Sequence, residues 1–451
     1  MAKITKPIYV INIRILKNTL LTTFFSLIII FNSNAQRLLS DVMDTTVFAD
    51  KQIKIMSDTY GMLAFSGYIQ PQFQVAQEKG TDAEYQGGAF ATNASNRFRL
   101  RRGRLRADYL SFHKDGTPST FFVFQFDGTE QGVNIRDFWG RYYENKWQMF
   151  SVTAGMMARP FGFEVQLSSS SRETPERGRM SQILMKTERD LGAELTFNPR
   201  AKDAALKNLQ LEIGVFNGQG LAGPREYDNR KDVIAHAKLK QVKLGAVNIA
   251  GGVSGLFGGI ASETTNLYRT QQVSGSWLMM KDSAAENIGK ITPRQYLGAD
   301  FQIETSSKDW QTELRAEYIF GKQTATANSS ATPGSYPVEE NVKQPLYTRP
   351  FNGAYFYFLQ NLFNENNQFI VKYDWYDPNT KVKGTGVANA NGFTEADIRY
   401  NTLGLGFLRH INSNLKLFFW YDHIKNEATS ITDFTKDVND DVFTLRAQFM
   451  F

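Results

Sequence analysis

The stretch NRFRLRRGRLRADYL, residues 96–110, alternates arginine with apolar side chains. Its six arginines are Arg97, Arg99, Arg101, Arg102, Arg104 and Arg106. A side-chain period of two places the arginines and the apolar residues on opposite faces of a β-strand. The alternation slips by one residue at Arg101–Arg102, next to Gly103, and one inserted residue of this kind is typical of a β-bulge. With that bulge, all six arginines share one face.

The same period recurs along most of the chain. In TELRAEYIF the apolar residues Leu314, Ala316, Tyr318 and Phe320 alternate with charged ones, and the C-terminal DVFTLRAQFMF alternates in the same way. We count sixteen candidate strands. They span residues 62–75, 96–112, 119–127, 133–144, 148–157, 189–198, 207–217, 231–243, 246–257, 294–305, 309–321, 352–363, 366–376, 399–410, 413–424 and 441–451.

The connections between these strands alternate in length. Those on one side are mostly long, at residues 76–95, 158–188, 218–230, 258–293, 322–351, 377–398 and 425–440. Those on the other side are tight turns such as HKDGTP, ENKW and NENN. The side with the long connections has one exception, the short DGTEQG at 127–132. This asymmetry is typical of an outer-membrane barrel, with long extracellular loops and short periplasmic turns. We therefore predict an all-β fold, a sixteen-stranded antiparallel transmembrane barrel.

The barrel assigns the six arginines to the lumen. A guanidinium on the lipid face costs about 2–4 kcal/mol at the bilayer midplane, so six of them could not be tolerated there. Along the lumen they would form a ladder that attracts anions. They could instead pair with the protein's own carboxylates, for which Asp127, Asp137, Glu164 and Glu173 are candidates. The sequence leaves both interpretations open.

The N-terminus has the parts of a cleavable export signal. Basic residues precede the apolar run Leu20–Phe31, and small residues precede a cleavage site that we place between Ala35 and Gln36. We expect a signal peptide at 1–35, an N-terminal periplasmic segment at 36–60 and the barrel at 61–451. Removal of the signal takes four basic residues and no acidic one from a chain of net charge +6, which leaves about +2. That balance does not favour binding of nucleic acid.

The long connection at 158–188 is rich in basic residues, and loops of this length in a compact protein are usually functional. We predict that it folds into the barrel as a constriction loop and narrows the pore. The basic residues that would set its electrostatic profile are Arg159, Arg172, Arg177, Arg179, Lys186 and Arg189.

Several stretches together resemble the phosphate-selective porins O and P. The similarity lies in FRLRRGRLRADYL, FVFQFD, IRDFWGRYYENKWQMFSVTAGMMARPFGFE and SSSSRETPERGRM…TERDLGAEL, and it is most specific between Asn96 and Leu195. The resemblance implies a trimer of sixteen-stranded barrels in which a third loop constricts the pore and anions pass along basic residues. Acidic residues on other presumed lumen faces, including Glu212, Glu313 and Asp374, depart from a purely basic lining.

The sequence gives no sign of catalytic or metal chemistry. There is no cysteine, and the four histidines are scattered without the spacing of metal ligands. GQGLAG is followed by a proline and a polar run instead of a helix, which favours an extracellular loop over a nucleotide site. We therefore predict no cofactor, no metal and no enzyme activity. The expected function is passive diffusion of small hydrophilic solutes through an outer membrane of Gram-negative type, with a preference for anions such as phosphate. The alternative is a non-conducting barrel that acts as a surface scaffold or an outer-membrane hydrolase.

Overall fold

A computed structural model describes residues 53–58, 61–222, 226–306 and 310–451 of the chain. The predicted signal peptide and residues 36–52 lie outside the described residues. Within the described part, sixteen antiparallel strands close into a barrel, because the last strand pairs with the first long one. Their side chains alternate between the lumen and the outer surface, as the sequence predicts.

The barrel strands follow one another around the ring in chain order. They are β2 (Gly61–Ala76), β3 (Asn96–Phe112), β4 (Pro118–Thr129), β5 (Gly132–Tyr143), β6 (Phe150–Ala158), β7 (Arg189–Phe197), β8 (Leu209–Phe216), β9 (Asp232–Leu244), β10 (Val247–Ala261), β13 (Ile291–Ser306), β14 (Gln311–Ala325), β17 (Leu346–Leu362), β18 (Asn364–Asp377), β19 (Tyr400–Asn412), β20 (Leu415–Asn426) and β21 (Val442–Met450). Each corresponds to one predicted strand. The largest difference is β17, which begins six residues before the predicted 352, within the preceding loop.

Other elements were not predicted. The strand β1 (Ile53–Asp58) lies in the predicted N-terminal periplasmic segment. It pairs with Gly61–Phe65 of β2, the part of β2 that precedes its pairing with β21. The loop after β10 contains a hairpin of β11 (Asn266–Val273) and β12 (Ser276–Ser283), and the loop after β14 contains the short pair β15 (Val338–Glu339) and β16 (Val342–Lys343). Gly275 has φ 86° in the two-residue turn of the first hairpin, a conformation that glycine adopts without strain.

The two faces of the barrel wall differ in chemistry. On β4, Phe122, Phe124 and Phe126 are exposed on the outer surface, whereas Gln125 is buried in the lumen. Large aromatic residues are also exposed at the end with the short turns, among them Trp147, Phe363 and Phe451. An apolar band with aromatic residues at its rim suits a lipid environment. Separately, no helix among the described residues is long and apolar enough to cross a membrane.

The lumen is partly filled by the chain itself. The constriction loop runs from Arg159 to Glu188, since Ala158 is still part of β6, and it contains one short helix, α1 (Arg179–Leu184). Apolar residues of this loop, including Phe161, Val165 and Leu184, pack in one cluster with lumen-facing residues of the wall such as Tyr296 and Tyr355. The loop is therefore fixed inside the barrel by burial as well as by polar contacts.

Candidate functional site: the constricted lumen

The β-bulge in the basic strand is present where the sequence predicts it. On β2, Ile69 pairs with Gly103 and Pro71 pairs with Leu100, so one residue of β2 lies opposite both Arg101 and Arg102. Both arginines reach the same loop carboxylate, and Phe98 on the other face is 84% exposed. The extra residue keeps the arginines on the lumen side along the whole strand.

A second bulge, which the sequence analysis missed, lies on β5. Gln125 of β4 pairs with Asp137, and Phe126 pairs with Ile135, so Arg136 is the inserted residue. Arg136 and Asp137 are consequently both buried on the lumen side. Two bulges on nearby strands thus concentrate charged side chains on one part of the wall.

The constriction loop crosses the lumen and contacts several separate strands of the barrel wall. Ser169 bonds the hydroxyl of Tyr68 on β2 at 2.7 Å, and the main-chain N–H of Arg179 donates to Asp374 on β18 at 3.2 Å. Arg315 on β14 holds Glu173 with two bonds of 2.8 and 2.9 Å. These contacts attach the loop to the inner face of the wall.

Glu176 is the most heavily contacted carboxylate of the loop. It accepts from Arg101 at 2.8 Å, from Arg102 at 2.6 Å and from Arg446 of β21 at 2.7 Å. Burial alone would raise the pKa of Glu176, but these three guanidinium groups hold it well below its usual range. Two of the six predicted pore arginines therefore anchor the loop.

The other four arginines of β3 also have partners. Arg99 pairs with Glu130 at 3.0 Å, Arg104 with Asp127 at 3.0 Å and Arg106 with Asp108 at 2.7 Å. Arg97 donates to the main-chain oxygen of Ala89 at 2.6 Å and makes no ion pair with a described carboxylate. Five of the six arginines thus form ion pairs with the protein's own carboxylates. The ladder therefore contains few free cations.

Only some of the acidic residues that the sequence suggested as partners of the β3 arginines pair with them in the structure. Asp127 pairs with an arginine of the ladder, as predicted. Asp137 pairs instead with Arg189, and Glu173 pairs with Arg315. Glu164 accepts from the main-chain N–H of Gly178 and from the hydroxyl of Tyr357, so it stabilises the conformation of the loop and attaches it to β17. Glu176, the main partner, was missed, because spacing in sequence does not show which loop residue reaches the wall.

The basic residues of the loop occupy different environments. Arg159 donates to the main-chain oxygen of Thr187, Arg177 lies 3.4 Å from Glu188, and Arg179 stacks between the rings of Tyr85 and Tyr400. Arg189 is the first residue of β7. Lys186 is exposed and lies 3.6 Å from Glu84 of the loop after β2.

Arg172 has two side-chain nitrogens, Nε and Nη1, without a hydrogen-bond partner among the described residues. Its side chain is buried. Burial and the nearby cations Arg102 and Arg177 lower the pKa of Arg172 to about 10. The guanidinium is still charged at neutral pH, and no carboxylate neutralises it directly.

Cations outnumber anions in this part of the lumen. Glu188, like Glu176, lies within ion-pair distance of three arginines: Arg136 at 2.7 Å, Arg177 at 3.4 Å and Arg189 at 3.9 Å. Burial would raise the pKa of Glu188, but these cations hold it well below its usual range. Asp127 and Asp137 also contact Arg136 and Arg189, but the arginines around Glu176 and Glu188 still outnumber the carboxylates, which leaves a local positive excess.

A cavity lined by both charged and apolar side chains lies beside the loop, against β2–β8. Its volume is about 430 Å³. The lining includes Arg104, Arg106 and Arg189 from the predicted site, together with Asp108, Arg141 and Glu194. The cavity brings ladder arginines and acidic residues into one space. Among the described residues, no group of three histidine or acidic side chains is placed to hold a metal ion.

The same architecture occurs in solved outer-membrane proteins. The outer membrane channel DcaP of Acinetobacter baumannii superposes with a TM-score of 0.53 at 12% identity, over 88% of this chain and 99% of that one. OprB of Pseudomonas putida gives 0.54 at 9% identity, over 86% and 94%. OmpT of Vibrio cholerae gives 0.50 at 10% identity, over 88% and 100%.

These likenesses show that the chain has the fold of outer-membrane porins. No protein-family profile and no curated protein sequence matches the chain. The resemblance to the phosphate-selective porins O and P therefore stays a prediction from sequence motifs.

Proposed function

We propose that this protein is a porin of a Gram-negative outer membrane that lets small hydrophilic solutes diffuse passively, with a preference for anions such as phosphate. The observation that carries the proposal is a closed barrel whose lumen holds a charged cavity beside an anchored constriction loop. A sixteen-stranded barrel is wide enough to contain an aqueous channel, and a loop inside it sets the size of solutes that pass.

The anion preference follows from the positive excess around Glu176 and Glu188. Each of these carboxylates lies among three arginines, and Arg172 adds a buried cation with no carboxylate at bonding distance. The potential of such a region favours negative ions even though most guanidinium groups are hydrogen-bonded. We expect a moderate preference, because acidic residues such as Glu212 and Glu313 face other parts of the lumen.

The remaining sequence predictions belong to the same proposal. They are export through a signal peptide at residues 1–35, insertion in outer-membrane lipid, assembly as a homotrimer and membership of the porin O and P group. The apolar outer face supports insertion in lipid. The solutes are the only partners that the lumen itself requires.

Recordings from the purified protein in a planar bilayer test the proposal. Under a KCl gradient we expect stable channels whose reversal potential has the sign of anion preference. Arg106→Gln should shift that potential toward cations, since Arg106 lines the cavity and forms no hydrogen bond or ion pair with a described residue of the constriction loop. Arg230→Gln, an exposed change in the loop after β8, is the matched control and should leave the potential unchanged. Cation preference in the unmodified protein would contradict the anion assignment.

One observation favours the alternative of a non-conducting barrel. The constriction loop buries apolar residues against the wall, and Thr332 of the loop after β14 also bonds main-chain oxygens of α1. If these contacts close the path, no KCl conductance appears and the barrel serves as a scaffold or an enzyme. The same bilayer recording decides between the two functions.

A further inference from the structure

Most charged groups in the lumen cavity are already neutralised. Arg106 pairs with Asp108 and Arg189 with Asp137. Glu212, on the far side, pairs with Lys238 at 2.8 Å. Paired groups of this kind have little capacity left for a solute. A binding group should therefore be sought among the charges that lack an ionic partner.

Arg141 on β5 is a free cation in this cavity. Its Nε donates to the hydroxyl of Thr153 at 2.7 Å, and its guanidinium lies 5.3 Å from the centre of the Trp139 ring. No described carboxylate forms an ion pair with it. The two terminal nitrogens of Arg141 are thus available to a carboxylate that enters the cavity.

Arg200, near the periplasmic end of the same cavity, differs from Arg141. Its terminal nitrogens donate to the main-chain oxygens of Phe150 and Glu144, and its guanidinium lies 5.2 Å from the centre of the Tyr143 ring. These bonds use one N–H of each terminal nitrogen of Arg200. Arg141 is therefore the better candidate for contact with a solute.

Glu194 on β7 carries the complementary carboxyl group, which forms no ion pair with a described residue. Its Oε1 accepts from the hydroxyl of Thr196 at 2.7 Å, and its Oε2 has no hydrogen-bond partner among the described residues. The residue is 6% exposed, yet no described cation lies at ion-pair distance from it. A buried carboxylate with a free oxygen is costly unless a cation or a hydrogen-bond donor joins it.

The barrel register places these two groups in one row. Arg141 pairs with Thr153 of β6, and Thr153 pairs with Glu194 of β7. Two strand spacings separate the two backbones, which is about 10 Å. Their side chains are long enough to approach a single small solute from either side of Thr153.

We propose that Arg141 and Glu194 form a binding site for small zwitterionic solutes, such as amino acids and short peptides. The solute carboxylate would accept from Arg141, and its ammonium group would donate to Glu194. This inference rests on the proposed porin function, which it narrows to a solute class. An inorganic anion could satisfy Arg141 alone, and a neutral sugar could satisfy neither charge fully.

Uptake into proteoliposomes tests the site. The probes are diglycine, which is zwitterionic at neutral pH, and arabinose, an uncharged solute of similar size, both at low concentration. We expect diglycine to enter about three- to tenfold faster than arabinose, as weak charge-assisted binding in a wet site allows. Glu194→Gln and Arg141→Gln should each bring the ratio close to one, and the double variant should lower it no further.

Controls separate the site from the channel itself. Glu339→Gln changes an exposed carboxylate of β15 and should leave the ratio as in the unmodified protein. Equal entry of the two probes, or a ratio that survives Glu194→Gln, would overturn the zwitterion site while leaving the porin function intact. Failure of both probes to enter, together with absence of KCl conductance, would contradict the porin function itself.

Discussion

Arg102 Nη2 and Glu176 Oε2 lie 2.6 Å apart, although 74 residues separate them in sequence. The pair joins the bulged strand β3 to the middle of the constriction loop, and both side chains are buried. Arg101 and Arg446 complete a group of three cations around one carboxylate. The position of the constriction loop in the lumen therefore depends on ion pairs between the loop and the wall strands β3 and β21.

Loss of the Glu176 charge should release the constriction loop. Glu176→Gln leaves the buried Arg102 and Arg446 and the partly exposed Arg101 without their shared anion, and breaking a buried pair costs about 3–5 kcal/mol. We expect larger and noisier single-channel currents, and unfolding at a lower temperature in gel-shift assays on heated samples.

Glu130→Gln is the matched control for that change. Glu130 pairs with Arg99 at the rim, where 41% of its side chain is exposed, so its removal should have little effect. Unchanged conductance in Glu176→Gln would show that the loop is held by its apolar contacts instead.

The channel should stay constricted at mildly acidic pH. The pKa of Glu176 and that of Glu188 are held well below the usual range by the surrounding arginines. A carboxyl whose pKa is lower in the folded protein stabilises it above the unfolded pKa, near 4.3, and that contribution disappears as the pH falls through the folded value.

Conductance measured from pH 7 down to pH 3 checks this expectation. The current should be steady to about pH 4 and should increase only below it, when the loop carboxylates protonate. An increase between pH 6 and pH 5 would instead implicate groups of higher pKa. Asp440, beside β21, is one of them, because burial raises its pKa to about 6.

We expect that the protein tolerates no side chain in place of Gly155. It has φ 125° on β6, and a Cβ there would lie 2.3 Å from the main-chain oxygen of Phe138 on the next strand. Gly155→Ala should therefore prevent correct pairing of β5 with β6 and reduce the yield of heat-resistant barrel. Gly116→Ala is the control: its φ is 81°, but nothing lies within 4 Å of the added carbon, so we expect a cost of only about 1–2 kcal/mol.

The hairpin of β11 and β12 should be dispensable for the barrel. The main-chain N–H of Ala284 donates to Thr265 at 3.0 Å, so the two ends of the hairpin are already adjacent. Replacement of residues 266–283 by a short glycine–serine link should leave folding and conductance unchanged. The expected loss is local, since Met279 packs with Val387 and Phe393 in the loop after β18. Failure of the shortened chain to fold would show that this cluster is needed for barrel closure.

The sequence determined the strands of the barrel wall, but few of the contacts inside the lumen. Alternation with a period of two is a local property, so the strands and their facing directions could be predicted from neighbouring residues. The bulge at Arg101–Arg102 was predicted for the same reason, because the slip in phase occurs within the strand itself. The hairpin of β11 and β12 was missed because its strands are short and lie within a long connection.

The partners of the arginines were decided only by the tertiary structure. Spacing in sequence could not show that the constriction loop turns Glu176, and not Glu164 or Glu173, toward β3. It also could not show that Arg141 and Glu194 lie in one row without ionic partners, since that row depends on the register of β5, β6 and β7. The pattern of a strand predicts on which face of the sheet a side chain lies. Ion pairs across the lumen, in contrast, form only when the whole barrel closes around the loop.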